Sequence, residues 1–558
     1  MPKVHPRLIV ALCTFSLIAL CTIREANAQR TAIDTYAITN ARIVTVSGPI
    51  VERGTVVIRN GLIAAAGANI NAPPDARVID GAGLTVYPGL IDSYTNLALP
   101  EAAPGPSPAG GGAAAFLLLQ AQARPSPGGP NSTQPVGLQP EVMVEDSIRA
   151  SGTEIESSRN IGITTALSAP RSGIWMGQSA LINLSGETPQ QMIVRSPVAM
   201  HVSFTPIRGG YPGSLLGVFA QLRQMMLDAQ RYREAMQVYE RNPRGIRRPD
   251  TDRSLAALVP ILDGRMPVVV LANSEREISR ALDLAAEFKL KLIIAGGREA
   301  DRVADRLAKQ NVPVLLSLNL PRRTTAAMPE ADPEPLRVLR ERVAAQQTAG
   351  KLAKAGVRFA FQSGSLANIA DLMANANRAI ENGLAPADAV RAFTIWPAEI
   401  LGVANQLGSI EAGKIANLTV TRGDLFDRNS RVAHVFIDGR PVDLRPATPE
   451  RPTGRGGVSG TWTMNINFGQ GERAATLTLQ QEGDRLTGSI AGVLGSGEIS
   501  NASISASDEV RFSVSLNIEG QTKEATFTGT LAGNEIRGTV AVVGQAPGSF
   551  TATRARPN

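Results

Sequence analysis

The sequence predicts an α/β chain in which a (β/α)8 barrel is followed by a separate all-β domain, and three observations carry that prediction. Eight apolar runs of strand length are spaced along residues 90–362 and separated mostly by helical or loop segments, the number a closed parallel barrel requires. The flanks of that region, residues 36–86 and 408–442, read as β segments. After a Pro/Gly/Arg-rich stretch, alternation takes over: Trp462, Met464, Ile466 and Phe468 are apolar with polar residues between them, as are Val510, Phe512, Val514, Leu516 and Ile518.

The elements follow in order. Lys3 and Arg7 precede the apolar run Leu8–Leu20, and Ala26-Asn27-Ala28 forms a small-x-small site before Gln29. Residues 1–28 therefore read as a secretory signal peptide, which makes the protein exported, periplasmic or extracellular. The run is shorter than the roughly 18 residues a spanning helix needs, so no membrane span is expected after cleavage. A lipid on Cys21 is the alternative, disfavoured because Leu20 stands where a small residue is wanted. Both cysteines, Cys13 and Cys21, lie in this segment. The remaining chain then has no disulfide and rests on packed cores.

Ile43-Val44-Thr45-Val46 and Thr55-Val56-Val57-Ile58 read as strands, and Asn60-Gly61 as the hairpin turn before Leu62-Ile63-Ala64. The eight barrel runs are Leu90–Tyr94, Ile163–Ser168, Ser179–Leu184, Val198–Phe204, Pro267–Ala272, Lys291–Ala295, Val312–Ser317 and Val357–Gln362. Glu275–Phe288 and Glu299–Lys309 read as helices, and Ser214 as the cap of a long one whose Phe219, Leu222, Met226 and Ala229 recur at helical spacing. Pro100–Gln139, rich in Pro, Gly and Ala, reads as a flexible loop directly after the first strand, where barrel enzymes carry active-site loops. Residues 446–457 are a Pro/Gly/Arg linker. Residues 458–558 are expected to form a small antiparallel barrel or sandwich. That module holds no His or Cys and reads as structural or adhesive, with a ligand pocket as the other reading.

The net charge of +7 and pI near 9.6 raise nucleic acid as a partner. No dense Lys/Arg stripe interleaved with aromatics supports it; Arg244, Arg247, Arg248 and Arg253 come nearest and read as a solvated loop.

The run Tyr87-Pro88-Gly89-Leu90-Ile91-Asp92-Ser93-Tyr94-Thr95-Asn96 resembles the first barrel strand of the amidohydrolase superfamily, where Pro-Gly-Leu-Ile-Asp leads into a metal-binding His-x-His. "ARVIDGAGLTVYPGLIDS" is similar to that family's lead into the barrel, and "GSIEAGKIANLTVTRGDLFD" with "VFIDGRPV" to its exit, so the resemblance covers roughly residues 36–445. It is closest to imidazolonepropionase-like and secreted dipeptidase-like members. The resemblance implies a TIM-like barrel over residues 87–403, a composite β-sandwich built from 29–86 and 404–445, and hydrolysis of carbon–nitrogen bonds in non-peptide, cyclic amide or dipeptide-like substrates.

Carried over position by position, the resemblance puts the first strand's two histidines on Tyr94 and Asn96. "PVVVLAN" puts Leu271 at the fifth-strand ligand, and "KLIIAGGREA" puts Gly296 at the sixth-strand imidazole. "VRFAFQSGS" puts Gly364 where an aspartate would bind metal and take a proton from water. Counting leads the same way. The chain has three histidines, His5, His201 and His434, and the first lies in the signal segment. A hydrolytic zinc site takes about three His, Asp, Glu or Cys ligands, so a His-rich site is excluded. A catalytic metal lowers the pKa of bound water from about 15.7 to about 7, worth roughly 12 kcal/mol in generating hydroxide. Tyr, Asn, Leu and Gly do not replace it. No cofactor is expected, and zinc or another divalent cation only if unconventional ligands hold it.

What remains is a short list of candidates. A Gly-x-Ser-x-Gly elbow is absent. His201 reads as a lone general base, a remnant ligand or a hydrogen-bonded structural histidine. Arg171, Trp175 and Gln178 sit in "SAPRSGIWMGQSALINL", where Arg171 reads either as the carboxylate-recognising group of a barrel-mouth pocket or as a surface arginine. His434 reads as structural. Two functions stand: a catalytically impaired amidohydrolase, or an exported binding or scaffolding pseudoenzyme that pairs with an active relative or with itself. A small molecule in the barrel mouth is the expected ligand.

Overall fold

The computed structural model describes residues 35–100, 134–321, 335–444 and 458–554, apart from 136, 208–209, 365, 367, 428–429, 468–471, 483–484, 493–494, 505–508, 519–520 and 543–547. The signal segment, most of the Pro100–Gln139 loop and the 446–457 linker lie outside the described residues. The chain divides into two compact units, Met1–Leu444 and Arg445–Asn558.

The first unit opens with β1 (Thr35–Ile43), β2 (Val51–Arg59), β3 (Leu62–Gly67), β4 (Ala76–Asp80) and β5 (Leu84–Pro88). Asn60 and Gly61 join β2 to β3 with φ of 53° and 81°, the left-handed pair a tight hairpin turn demands. The chain then runs into β6 (Leu90–Thr95), β7 (Ile163–Ser168), β8 (Trp175–Gln178), β9 (Ala180–Asn183) and β10 (Ile193–Arg195). After these come β11 (Met200–Ser203), β12 (Val268–Ala272), β13 (Leu292–Gly296), β14 (Val314–Ser317) and β15 (Phe359–Gln362).

These strands form two sheets, ordered β10-β9-β7-β6 and β15-β14-β13-β12-β11-β8. β6 and β7 are parallel, as are β11 through β15. The sheets meet at two seams. At one, Ser93 Oγ donates to the Phe361 carbonyl at 2.7 Å and Gly364 N to the Tyr94 carbonyl at 3.1 Å. At the other, Val198 N donates to the Ser179 carbonyl and Ser179 N to that of Ala199. The result is a TIM-barrel-like domain.

One expected strand departs from the parallel pattern. The run Ser179–Leu184 yields β9, which pairs antiparallel with β7, from Thr165 opposite Asn183 to Ser168 opposite Ala180. Between Ser168 and Ala180 the chain makes β8 and no helix. A parallel return needs a crossover that carries the chain back to the other end of the sheet, and none is present there.

Two cores flank the barrel strands. Inside, Ile91, Leu167, Val269, Ile293 and Leu315 pack together. Outside, helices Leu215–Arg241 and Glu275–Phe288 bury Leu222, Met226, Ile278 and Leu282 against the sheet. The first helix starts where Ser214 Oγ accepts from Gly217 N at 3.2 Å, and the second at a capping box of Ser274 and Glu277.

Past the barrel the chain returns as β16 (Leu418–Arg422), β17 (Arg431–Ile437) and β18 (Arg440–Val442). β16 pairs antiparallel with β5, so both flanks share one eight-stranded sheet, β18-β17-β16-β5-β1-β2-β3 with β4 on β1. Ile38, Ile43, Val56, Ile58 and Phe436 form its core.

The second unit is a closed antiparallel barrel of eight strands, from β19 (Gly460–Asn467) to β26 (Gly548–Arg554), with first and last strands paired. Trp462, Met464, Phe512, Phe527 and Phe550 fill it. Trp462 Nε1 donates to the Val458 carbonyl at 2.9 Å, and the Arg554 guanidinium lies 4.7 Å from the indole ring.

Candidate binding site at the barrel mouth

The first seam sets the geometry of the mouth, because β6 and β15 end there. Asp92 is fully buried on β6. Its Oδ1 accepts from Ser363 N at 3.0 Å and from Tyr94 N at 3.4 Å, and its Oδ2 accepts from Ser363 Oγ. Burial pushes this carboxyl up to about 6, and the Ser363 and Tyr94 donors limit the rise. Asp92 thus ties the two sheets together and fixes the backbone on which Tyr94 and Ser363 stand.

Each residue singled out from the sequence has a definite place. Tyr94 is buried, its ring 5.5 Å from that of His201, and burial raises its phenol above the ordinary value. Asn96 donates from Nδ2 to the Ala169 carbonyl at 2.8 Å, bracing the end of β6 against that of β7. Arg171 is exposed at the mouth and reaches the Asn96 and Leu99 carbonyls only at 3.4 Å each. Gln178 is buried and donates to the Pro140 carbonyl at 3.0 Å, and Trp175 is buried on the same strand, packed with Val202 and Met226. Neither lines the mouth with Arg171. His434 sits on β17 opposite Val420, half-buried in the outer sheet, where desolvation lowers its pKa.

His201 is not the hydrogen-bonded structural histidine the sequence allowed. Its neighbours Met200 and Val202 belong to the outer core, so the imidazole between them points inward. It is fully buried, neither ring nitrogen has a hydrogen-bond partner, and desolvation pushes its pKa down to about 3. At neutral pH it carries no charge, and a base that weak does not serve general-base catalysis near pH 7.

The remaining positions are filled rather than open. Leu271 packs on the inner core. At Gly296, where φ is +98°, a Cβ would lie 2.6 Å from Asn273 Oδ1. At Gly364 a Cβ would lie 2.5 Å from Gln362 Oε1 and 3.1 Å from the Tyr94 ring. Gln362 is itself anchored, donating from Nε2 to the Leu315 carbonyl at 3.2 Å. The five positions assigned to metal ligands therefore offer a phenol, a carboxamide in use, an aliphatic side chain and two glycines with side-chain amides against them. Among the described residues no three His, Cys, Asp or Glu side chains gather to hold a metal. This donor set does not fit a hydrolytic cation.

What the mouth does contain is a polar cavity of about 390 Å³. Asn96, Arg171, Ser363 and Asn368 line it, and the helix Thr153–Asn160 adds Glu154 and Ser157. Sequence reasoning found Asn96 and Arg171 and missed the others. Glu154, Ser157 and Asn368 carry no motif and reach the mouth only through folding. Ser363 follows the eighth predicted strand and was the nearest to a legible signal.

Comparisons with known proteins bear on this arrangement. The amidohydrolase family profile matches residues 214–442. The fold is shared with an amidohydrolase from Thermotoga maritima MSB8, at a TM-score of 0.61 and 24% identity, covering 74% of this chain and all of that one. The profile match and the shared fold support membership of the amidohydrolase superfamily. An enamidase from Eubacterium barkeri is 38% identical over 61 residues, which is 11% of this chain and only 16% of the enamidase. A prolidase complexed with N-methylphosphonate-L-proline also aligns, at a TM-score of 0.44 and 17% identity over 74% of this chain. In TIM-barrel enzymes the mouth is the face where the chemistry is carried out. Here that face presents a guanidinium, a carboxylate and two carboxamides.

Proposed function

We propose that this amidohydrolase-superfamily chain is an exported binding protein that takes a small zwitterionic, amide-bearing molecule, of dipeptide-like size, in its barrel mouth and does not hydrolyse it. The observation that carries the reading is the pairing of Arg171 and Glu154 around one polar cavity without a hydrolytic donor set beside them. A guanidinium recognises a carboxylate through paired N–H donors, and a carboxylate recognises an ammonium. Asn96 and Asn368 add amide groups suited to a peptide-like bond. Superfamily membership supports the second reading, hydrolysis of a carbon–nitrogen bond. That reading needs a group to generate hydroxide, and Asp92, whose carboxyl burial raises to about 6, is committed to Ser363 and Tyr94. Pairing with an active relative, or with a second copy, would give such a binding protein its role.

The test is calorimetry of the full exported chain with alanylalanine, followed by product analysis. The expected result is saturable binding that Arg171→Ala and Glu154→Gln each weaken by about tenfold, on the order of 1.4 kcal/mol, with the dipeptide recovered intact. Release of free alanine that depends on added zinc or manganese would establish the hydrolase instead.

A further inference from the structure

The opposite face of the same domain carries a second cavity that the mouth reading does not use. About 780 Å³ in volume, it lies beneath the barrel, at the N-terminal ends of β12 to β15, and it falls within the roughly 300–1,000 Å³ range of small-molecule sites. Its floor is aliphatic: Val198, Leu292, Leu307, Val312, Val357 and Leu401 line it, all buried. Its rim is cationic. Arg195, Arg265, Lys291 and Arg358 stand around it, against Glu399 as the one carboxylate in the lining.

Two of those guanidiniums are held in position by one helix, Ile395–Ile400. Arg195 Nη1 donates to the Leu401 and Gly402 carbonyls at 3.1 and 2.9 Å, at the helix's C-terminal end. Arg358 is paired with Glu399 on the helix itself. Arg265 is paired outside the lining with Asp263, at 2.9 Å. Among the described residues Lys291 has no carboxylate partner, so its charge is uncompensated. Fixed guanidiniums lose little freedom on binding an anion, and a concave wall of one charge sign concentrates counter-ions.

We propose that this basin binds a small amphiphilic anion, a carboxylate on an apolar body, with the head at Lys291 and Arg195 and the body on the aliphatic floor. The basin does not suit a purely polar ligand, because its floor is aliphatic and Gln310 and Asn311 are the uncharged polar side chains of the lining, nor a neutral apolar one, because the rim would leave its cations facing it. The site stands independently of what the mouth binds.

Calorimetry on the full chain with decanoate and with its neutral isostere decanamide tests it. The expected result is one decanoate per chain, decanamide bound at least about tenfold more weakly, and a comparable loss of decanoate affinity in Lys291→Glu. Ala308→Trp, which fills the basin from its lining, should abolish decanoate binding, while circular dichroism shows both variants folded and alanylalanine binding at the mouth is unchanged. Absence of saturable decanoate binding, equal affinity for the amide, or a Lys291→Glu variant that binds as well as the wild type would each overturn the proposal.

Discussion

In the C-terminal barrel the interior is packed with Trp462, Met464, Phe512, Phe527 and Phe550, and the one indole N–H donates to the Val458 carbonyl. The first domain instead buries Asp92, Ser93, His201 and Gln362 among its aliphatic inner residues. His201 finds no partner at either nitrogen and Gln362 none at Oε1. Each unsatisfied buried polar group costs about 1–3 kcal/mol, and the apolar side chains that fill the core of the C-terminal barrel avoid that cost. Among the described residues, buried polar side chains are more frequent in the first domain, Asp92 and Ser363 at the mouth among them, than in the core of the C-terminal barrel.

The sharpest way to break this comparison is acid. His201 has a folded pKa pushed down to about 3 against an unfolded value near 6.5. Its contribution to stability is fully present above pH 6.5 and is lost as pH falls toward 3, by as much as about 5 kcal/mol over that window. Urea unfolding of the first domain at pH 8 and pH 4 should show a steep loss in the wild type and a loss smaller by several kcal/mol in His201→Leu. An unchanged pH difference in the variant would mean that the imidazole is paired in solution.

For the second barrel the expectation is insensitivity to acid and sensitivity to volume. Phe527 stacks on Phe512 at 4.8 Å and meets Phe550 edge-on at 5.3 Å. Phe527→Ala should cost about 3–5 kcal/mol, read as a shift of one unfolding transition, and should leave ligand binding at the mouth unaltered. If both units melt earlier together, they are one cooperative body and the comparison fails.

Asp92 predicts the opposite pH sign to His201. Its folded pKa is raised to about 6 from 3.8, so the folded state holds the proton more tightly. Stability then falls as pH rises between those values, by about 3 kcal/mol at most. Asp92→Asn should remove that slope, whatever it does to absolute stability through the lost carboxylate acceptor. The check is the difference between variant and wild type across pH 3.5 to 6.5, since His201 acts in the same interval with the other sign.

These groups also mark what the sequence made legible. Period-two alternation was enough to find β19 and the strands after it, because each buries one face. The strands of the first barrel were found as continuous apolar runs, since helices or a neighbouring sheet cover both faces. What alternation could not give was direction: Ser179–Leu184 is as apolar as its neighbours, and only the missing crossover helix makes β9 antiparallel. The substituted metal positions Tyr94, Asn96 and Gly364 could be named because a motif surrounds them. Glu154 and Asn368 could not, since they come to the mouth from a helix and a loop whose local pattern carries no chemical sign. Gln178 failed for the converse reason: it is close in sequence to Arg171, yet β8 carries it away to Pro140.

The smallest effect expected is also the most specific to the mouth. If Gly364 were merely a lost aspartate, restoring the carboxylate would be tolerated and would begin to rebuild a cation site. The structure argues otherwise, because the new Cβ would meet Gln362 Oε1 at 2.5 Å, and that side chain is anchored to the Leu315 carbonyl. Gly364→Asp should therefore destabilise the first domain by about 1–3 kcal/mol through overpacking, and zinc titration of the variant should give no stabilisation, since a metal without a native site shifts no equilibrium. Adding Gln362→Ala should recover most of the stability by removing the amide in the way. A Gly364→Asp single variant as stable as the wild type, with a melting temperature that climbs on adding zinc, would show that the mouth has kept room for its metal and that the comparison between the two barrels was drawn at the wrong residue.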